Sequence, residues 1–241
     1  MNCVFQCRQG GFRVERATGT VAELHASSAA MVASDGGGGA AGLARAARVM
    51  QPTDSALVLG SSQASSVADA AACASAGVEV VRRRSGGGAV LVEPGSQLWV
   101  DLVVPAGDPL GDDDVGRAAW WVGEAWAAAL HRAGFASAEV WKGGLVRRPW
   151  SSHVCFALLG AGEVTAAGGP KVVGVSQRRT RLGALFQCSC LLRWQPGALT
   201  ELLALSPKER ASAARDLEGV ATPAPPGSGE QLLEGLLAAL A

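Results

Sequence analysis

Apolar residues fall in short runs bounded by Gly and Pro, with one longer stretch at helical spacing. Ser55-Ala56-Leu57-Val58-Leu59-Gly60 is an apolar run closed by glycine and predicts a buried strand. Ala68 to Ala76 is alanine-rich and predicts a helix ending near Gly77, with Val78 to Arg83 following as a strand. Ala89 to Val92 and Leu98 to Val104 predict two more strands, separated by a Pro94-Gly95 turn. Their order suggests antiparallel or mixed pairing rather than alternating βαβ units. Val115, Ala118, Val122, Ala125, Trp126, Ala129 and Leu130 recur at helical spacing. Asp112 to Asp114 supply negative charge at that helix's start and Gly134 its stop. Trp120, Trp121 and Trp126 read as its packing residues.

Further on, Lys171 to Val175 and Leu185 to Leu192 predict strands flanking an Arg-rich turn, Gln177 to Gly183. Leu199 to Leu205 and Lys208 to Leu217 predict helices. Ala221 to Gly229 reads as a Pro/Gly/Ser linker before a last short helix, Gln231 to Leu240. Residues 34–46, with Gly36 to Gly39, read as a flexible loop, and no internal repeat stands out. The expected fold is α+β: a single domain over residues 1–220 with one central mixed or antiparallel sheet and flanking helices. Residues 221–241 add the linker and helix, too few for a full accessory domain.

Composition narrows the function classes. Hydrophobic residues are 49% of the chain and charged residues 17%, which excludes wholesale disorder. The 21 basic and 21 acidic residues cancel, which argues against a general nucleic-acid binder. No run approaches the roughly 18 apolar residues of a membrane span. Arg8, Arg13 and Arg16 have no apolar core after them, so no signal peptide is expected and the reading is a cytoplasmic protein with reduced thiols. The cysteines at 3, 7, 73, 155, 188 and 190 form no regular framework. Cys3-x3-Cys7 and Cys188-x-Cys190 lack a second half, and His25, His131 and His153 are not at ligand spacing, so no metal site is expected. Most of the cysteines read as small buried apolar residues. Eighteen of the 21 basic residues are Arg, and the lysines are Lys142, Lys171 and Lys208. Where Arg is so favoured, a lysine marks a position that a planar guanidinium would not serve.

Three segments could carry chemistry. In Arg82-Arg83-Arg84-Ser85-Gly86-Gly87-Gly88-Ala89-Val90, three glycines after a strand let backbone N–H groups approach an anion or carbonyl beside positive charge. No Gly-Lys-Ser/Thr follows, so it is not a P-loop. In Gly169-Pro170-Lys171-Val172-Val173-Gly174-Val175-Ser176-Gln177, a lysine opens an apolar strand between glycines, where its ammonium could polarise an acyl carbonyl or neutralise a phosphate. Cys155-Phe156 lies sixteen residues before Lys171, with Glu163 between them. Cys155 is a candidate nucleophile, with His153 and Lys171 the candidate positive charges beside it.

Together the segments resemble the biotin/lipoate protein ligase catalytic-domain family, specifically lipoate–protein ligase A and its octanoyltransferase relatives. Arg82-Arg83-x-Ser85-Gly86-Gly87-Gly88-Ala89-Val90 looks like the family's acyl-binding loop, and Gly169-x-Lys171-Val172-x-Gly174-x-Ser176-Gln177 like its lysine motif. Ala56-Leu57-Val58-Leu59-Gly60-x-x-Gln63 is similar to its N-terminal strand and turn. The resemblance implies a fold like that of biotin ligases and class II synthetases, and attachment of lipoate or octanoate to a lysine of a lipoyl-domain protein. It implies Cys155 and Lys171 as catalytic residues, and Arg83, Ser85, Gly86, Gly87, Gly88, Val90, Gly174 and Ser176 as substrate-binding residues. Cys155-Phe156, Glu163 and Lys171 look like the octanoyltransferases and amidotransferases of Gram-positive type, which need no cofactor. For these the resemblance implies an acyl carrier protein or an acylated glycine-cleavage H-type protein as donor. An ATP-dependent ligase is the alternative, with ATP and Mg as cofactors and Arg83 and Lys171 on an acyl-adenylate phosphate. A non-catalytic acyl- or lipoyl-domain-binding module is a third reading. Arg147, Arg148, Arg178 and Arg179 would either steer acidic partner domains or form a solvated face. Two family segments differ: His-Asp is replaced by Val92-Glu93-Pro94, and His-Gly-Ser/Thr by Gln187-Cys188-Ser189-Cys190, which leaves His153 as the expected imidazole near the site.

Overall fold

Alternation along the long strands sets the layers. The computed structural model describes residues 4–9, 11–33, 43–167 and 169–241. Its main sheet has eight strands in the order β1-β2-β3-β7-β13-β12-β11-β8. These are β1 (Val4–Gln9), β2 (Phe12–Gly19), β3 (Ala46–Pro52), β7 (Gln97–Pro105), β13 (Gly183–Leu191), β12 (Lys171–Thr180), β11 (Val164–Ala166) and β8 (Ala138–Val140). All neighbours are antiparallel except β2 and β3, which are parallel and joined by helix α1 (Val21–Met31). A smaller sheet, β5-β4-β6, comprises β4 (Ala56–Leu59), β5 (Glu79–Arg82) and β6 (Val90–Val92). There β4 and β5 run parallel around α2 (Ala70–Ser75). A β9–β10 pair (Val146–Arg147 and Leu158–Leu159) completes the strands described.

The fold is therefore mixed α/β in one large sheet with flanking helices, as expected. Two βαβ crossovers, β2-α1-β3 and β4-α2-β5, supply the parallel pairs of this mixed arrangement. Parallel neighbours need such a crossover, and the alanine-rich helix supplies the second one.

On one face of the main sheet Val100, Leu102 and Val104 of β7 meet Phe186, Cys188 and Cys190 of β13 beneath α3 (Trp120–Arg132) and α6 (Gly229–Ala239). Trp126, Leu130, Leu232 and Leu236 are buried in this core. A Cβ at Gly235 would lie 3.1 Å from the Ala129 backbone, so glycine lets the two helices approach closely. Segment 221–228 is anchored as well: Ala221 bridges Lys171 and the Ala224 N–H donates to the Leu191 carbonyl. The other face carries α1 and the smaller sheet, backed by α4 (Pro196–Glu201) and α5 (Pro207–Glu218).

Three local expectations are corrected. Helix α3 starts at Trp120, because the Asp114 carboxylate accepts from the Gly116 and Arg117 N–H groups and caps a 3-10 turn first; Val115 stays outside, 64% exposed. Gln177 to Thr180 are strand rather than turn, since the β12–β13 ladder continues to Thr180 opposite Gly183. Of the expected 34–46 loop, residues 34–42 lie outside the described residues, and Ala46 already belongs to β3.

Candidate acyl-binding and nucleophile site

The glycine loop is built around a buried arginine. β5 ends at Arg82, and Arg83 turns inward, 4% exposed. Its guanidinium donates to the carbonyls of Gly86 at 2.6 Å, Gly88 at 2.9 Å and Val58 at 3.3 Å. Those three carbonyls give the desolvated charge its partners and hold the loop in a ring. Gly87 has φ +99°, a conformation that favours glycine. A Cβ at Gly60 would fall 1.9 Å from the Gly87 oxygen, and one at Gly88 2.6 Å from the Val154 carbonyl carbon. Among the described residues, no group accepts from the Gly86, Gly87 or Gly88 N–H.

Cys155 lies against this ring. It opens a 3-10 turn, Cys155–Ala157. Backbone hydrogen bonds from Ala89 N–H to His153 O, 2.6 Å, and from Cys155 N–H to Ala89 O, 3.0 Å, clamp the turn to the loop. The Cys155 Sγ is 3.8 Å from Arg83 Nη2 and 3.2 Å from the Cβ position of Gly87. Cys155 is half-buried, unlike Cys73, Cys188 and Cys190, which are buried. Cys188 and Cys190 sit in the core under α3, where burial pushes the Cys190 thiol up to about 12 and the Cys188 thiol up as well.

Lys171 stands one layer back. It is 1% exposed, and its ammonium donates to the carbonyls of Cys155 at 2.9 Å and Leu158 at 2.5 Å and to both Glu163 oxygens at 3.0 Å. It also lies 4.9 Å from the Phe156 ring centroid. Glu163 accepts in addition from the Gly160 and Val175 N–H groups. The lysine thus holds the cysteine turn by its carbonyl. Lys171 is not among the residues that line the cavity, and its ammonium is paired with the buried Glu163 carboxylate.

The cavity lies between the two sheets, lined by Val58, Val90, Val92, Trp99, Phe156 and Gly174, with Cys155 and Arg83 at one side and His25 among the lining residues. Beneath it runs a row of cross-strand neighbours over five strands: Ser176, Gln187, Asp101, Arg48 and Glu15. Four of the five are buried and Ser176 half-buried. Arg48 donates to Glu15 at 3.2 Å and to Ser28 at 2.7 Å. Asp101 accepts from Trp99 Nε1 at 2.7 Å and from Gln187 Nε2 at 3.4 Å. Full burial outweighs these donors and pushes the Asp101 carboxyl up to about 6. Ser85 donates to Gln187 Oε1 at 2.8 Å and pairs with Ser176 at 3.0 Å. Gln187 Nε2 meets His25 Nδ1 at 3.1 Å. Burial, then the Arg83 charge, bring His25 down to about 3, so the ring is neutral at physiological pH.

Residues 43–224 match the family model of the lipoyl protein ligase A/B catalytic domain. The chain belongs to this family. As such a catalytic domain, it is a lipoyl-handling enzyme. No curated protein sequence matches it significantly. Its fold is similar to that of the Thermoplasma acidophilum protein Ta0514, solved with bound lipoic acid: 19% identity, TM-score 0.65, covering 96% of this chain and 84% of that one. Lipoate-protein ligase A bound with ATP is similar at 17% identity and TM-score 0.65, over 93% and 81%. So is a chain from the bi-partite lipoate protein ligase and E2 lipoyl domain of T. acidophilum, at 18% and 0.61, over 81% and 69%.

In this lipoyl ligase-type domain the anticipated residues fall in two shells. Arg83, Val90, Cys155, Gly174 and Ser176 meet at the cavity; Ser85 lies behind Ser176, Gly86 to Gly88 beside the sulfur, and Lys171 behind Phe156. The expected imidazole is corrected. His153 packs on Trp150, ring centroids 5.8 Å apart, and bonds Ser152, while His25 lines the cavity. His25, Trp99, Asp101, Gln187 and the Arg48–Glu15 pair were missed by sequence reasoning. A signal existed for two: Arg48 and Asp101 each interrupt an apolar strand, and a charge buried there needs a partner.

Proposed function

We propose that the chain transfers an octanoyl or lipoyl group to a lysine of a lipoyl-domain protein through a Cys155 acyl-enzyme. One observation carries this reading: Cys155 Sγ lies at an apolar cavity, beside unclaimed glycine-loop N–H groups and 3.8 Å from the Arg83 guanidinium. In the first step the Cys155 sulfur bonds to the donor's thioester carbonyl carbon, the donor C–S bond breaks, and the proton lost by Cys155 ends on the donor thiol. The Gly86 to Gly88 N–H groups are the candidate donors to the oxyanion. In the second step the acceptor lysine's nitrogen bonds to the acyl carbonyl carbon, the thioester C–S bond to Cys155 breaks, and a proton from the amine goes to the Cys155 sulfur. Covalent catalysis divides one difficult transfer into two easier ones. The donor class is an acylated carrier or H-type protein. Arg83 and Lys171, the expected phosphate ligands of an adenylate, have their donors committed to protein carbonyls and Glu163. This favours the transferase over the ligase reading.

The test is transfer to a purified lipoyl domain from octanoyl carrier protein without ATP, set against free lipoate with ATP and Mg. Transfer in the first arm, lost in Cys155→Ala, supports the proposal. Transfer only in the second arm, retained by Cys155→Ala, makes the chain an ATP-dependent ligase. Transfer in neither arm makes it a binding module.

A further inference from the structure

The walls of the cavity differ in chemistry. Cys155 and Phe156 lie near the β12 wall of Gly174 and Ser176, whereas Gln97 and Trp99 belong to β7, two strands away. Two inter-strand spacings are about 9.5 Å, so the β12 and β7 walls stand about the length of an eight-carbon chain apart. Val58, Val90 and Val92 also line the cavity. At the β7 wall stand two rings, His25 and Trp99, with centroids 4.5 Å apart.

The hydrogen bonds fix which His25 nitrogen bears the proton. Gln187 Oε1 is taken by the Ser85 hydroxyl, and its Nε2 faces the Asp101 carboxylate. A flipped amide would aim its oxygen at that carboxylate. Gln187 Nε2 is therefore the donor to His25 Nδ1 at 3.1 Å, and the neutral ring carries its hydrogen on Nε2. Among the described residues, none accepts from His25 Nε2.

We propose that His25 and Trp99 read the far end of the acyl group and select a sulfur-bearing tail, the dithiolane of a lipoyl group, over the methyl end of an octanoyl group. This rests on the reading that the cavity holds one of these chains. Sulfur is polarizable, packs well against aromatic rings and accepts a weak hydrogen bond. A hydrocarbon end covers the His25 N–H without accepting from it, and a donor deprived of its partner is penalised.

Calorimetry on the full chain with (R)-lipoate, 5-cyclopentylpentanoate and octanoate tests this. The cyclopentyl acid keeps the ring shape and removes sulfur. Wild type should bind lipoate at least about tenfold tighter than the cyclopentyl acid, and His25→Phe should reduce that ratio below about threefold. Equal affinities in wild type would overturn the proposal without any variant, as would a folded His25→Phe protein that keeps the preference. The free acids bind without forming a thioester, so absence of a Cys155 adduct would remove the covalent reading while the affinity ratios still decide this one. Failure of all three acids to bind would overturn the acyl cavity itself.

Discussion

Backbone contacts place Cys155: the Ala89 carbonyl takes its N–H and the Lys171 ammonium takes its carbonyl. Cys155→Ser keeps these contacts and replaces only the sulfur. Acyl transfer should fall by about 10³-fold or more, with the urea midpoint unchanged; wild-type-like transfer would exclude the sulfur from the reaction. Lys171 acts by holding the turn. Lys171→Met leaves Glu163 buried without its cation and should cost about 3–5 kcal/mol in urea unfolding. Lys171→Met with Glu163→Leu should recover much of that stability, because neither charge then remains buried. A Lys171→Met protein as stable as wild type would contradict the buried pair.

The glycine loop and the polar row are properties of elements. Gly60→Ala would push a methyl into the Gly87 carbonyl, 1.9 Å away. It should destabilise by about 1–3 kcal/mol and impair transfer by displacing the loop. Gly86→Ala, where a Cβ meets open space, is the matched control for stability. The row makes a prediction in pH. His25 is lowered from 6.5 to about 3, so its contribution to stability is present above 6.5 and is lost as pH falls toward 3. Asp101 is raised from 3.8 to about 6, so its contribution is present below 3.8 and is lost as pH rises through 6. Between about pH 4 and 6 the two oppose each other. Asp101→Asn removes one side, so its stability should fall more steeply than wild type's on acidification from pH 6.5 to 4. Urea melts giving parallel curves would contradict this pairing. Legibility followed the same division. Arg83, the triple glycine, Lys171 and Ser176 sit in contiguous motifs that a sequence displays. Glu15, Arg48, Asp101 and Gln187 are contiguous only across strands, through registers no single segment encodes.

At the scale of the whole molecule, the pattern of apolar runs gave the strands of the smaller sheet but not their separation from the main one, together with the β12–β13 hairpin and the α3 helix, because each is a local periodicity. It missed β1, β2 and α1, whose residues mix Arg, Glu and Ser with apolar positions. Those polar residues have a tertiary reason: Glu15, Ser27 and Ser28 surround Arg48, and His25 reaches the cavity. The C-terminal helix was visible as an amphipathic segment, but its burial against α3 depends on Gly235 meeting Ala129. The eight-stranded sheet, the glycine ring and the cysteine turn converge on the Cys155 sulfur, the atom on which the proposed acyl-enzyme rests. Its most direct test is the mass of the intact protein after incubation with octanoyl carrier protein in the absence of ATP, followed by peptide mapping. The account predicts one octanoyl group, labile to hydroxylamine and located on Cys155. An unmodified protein that still acylates a lipoyl domain, or an adduct on any other residue, would contradict it.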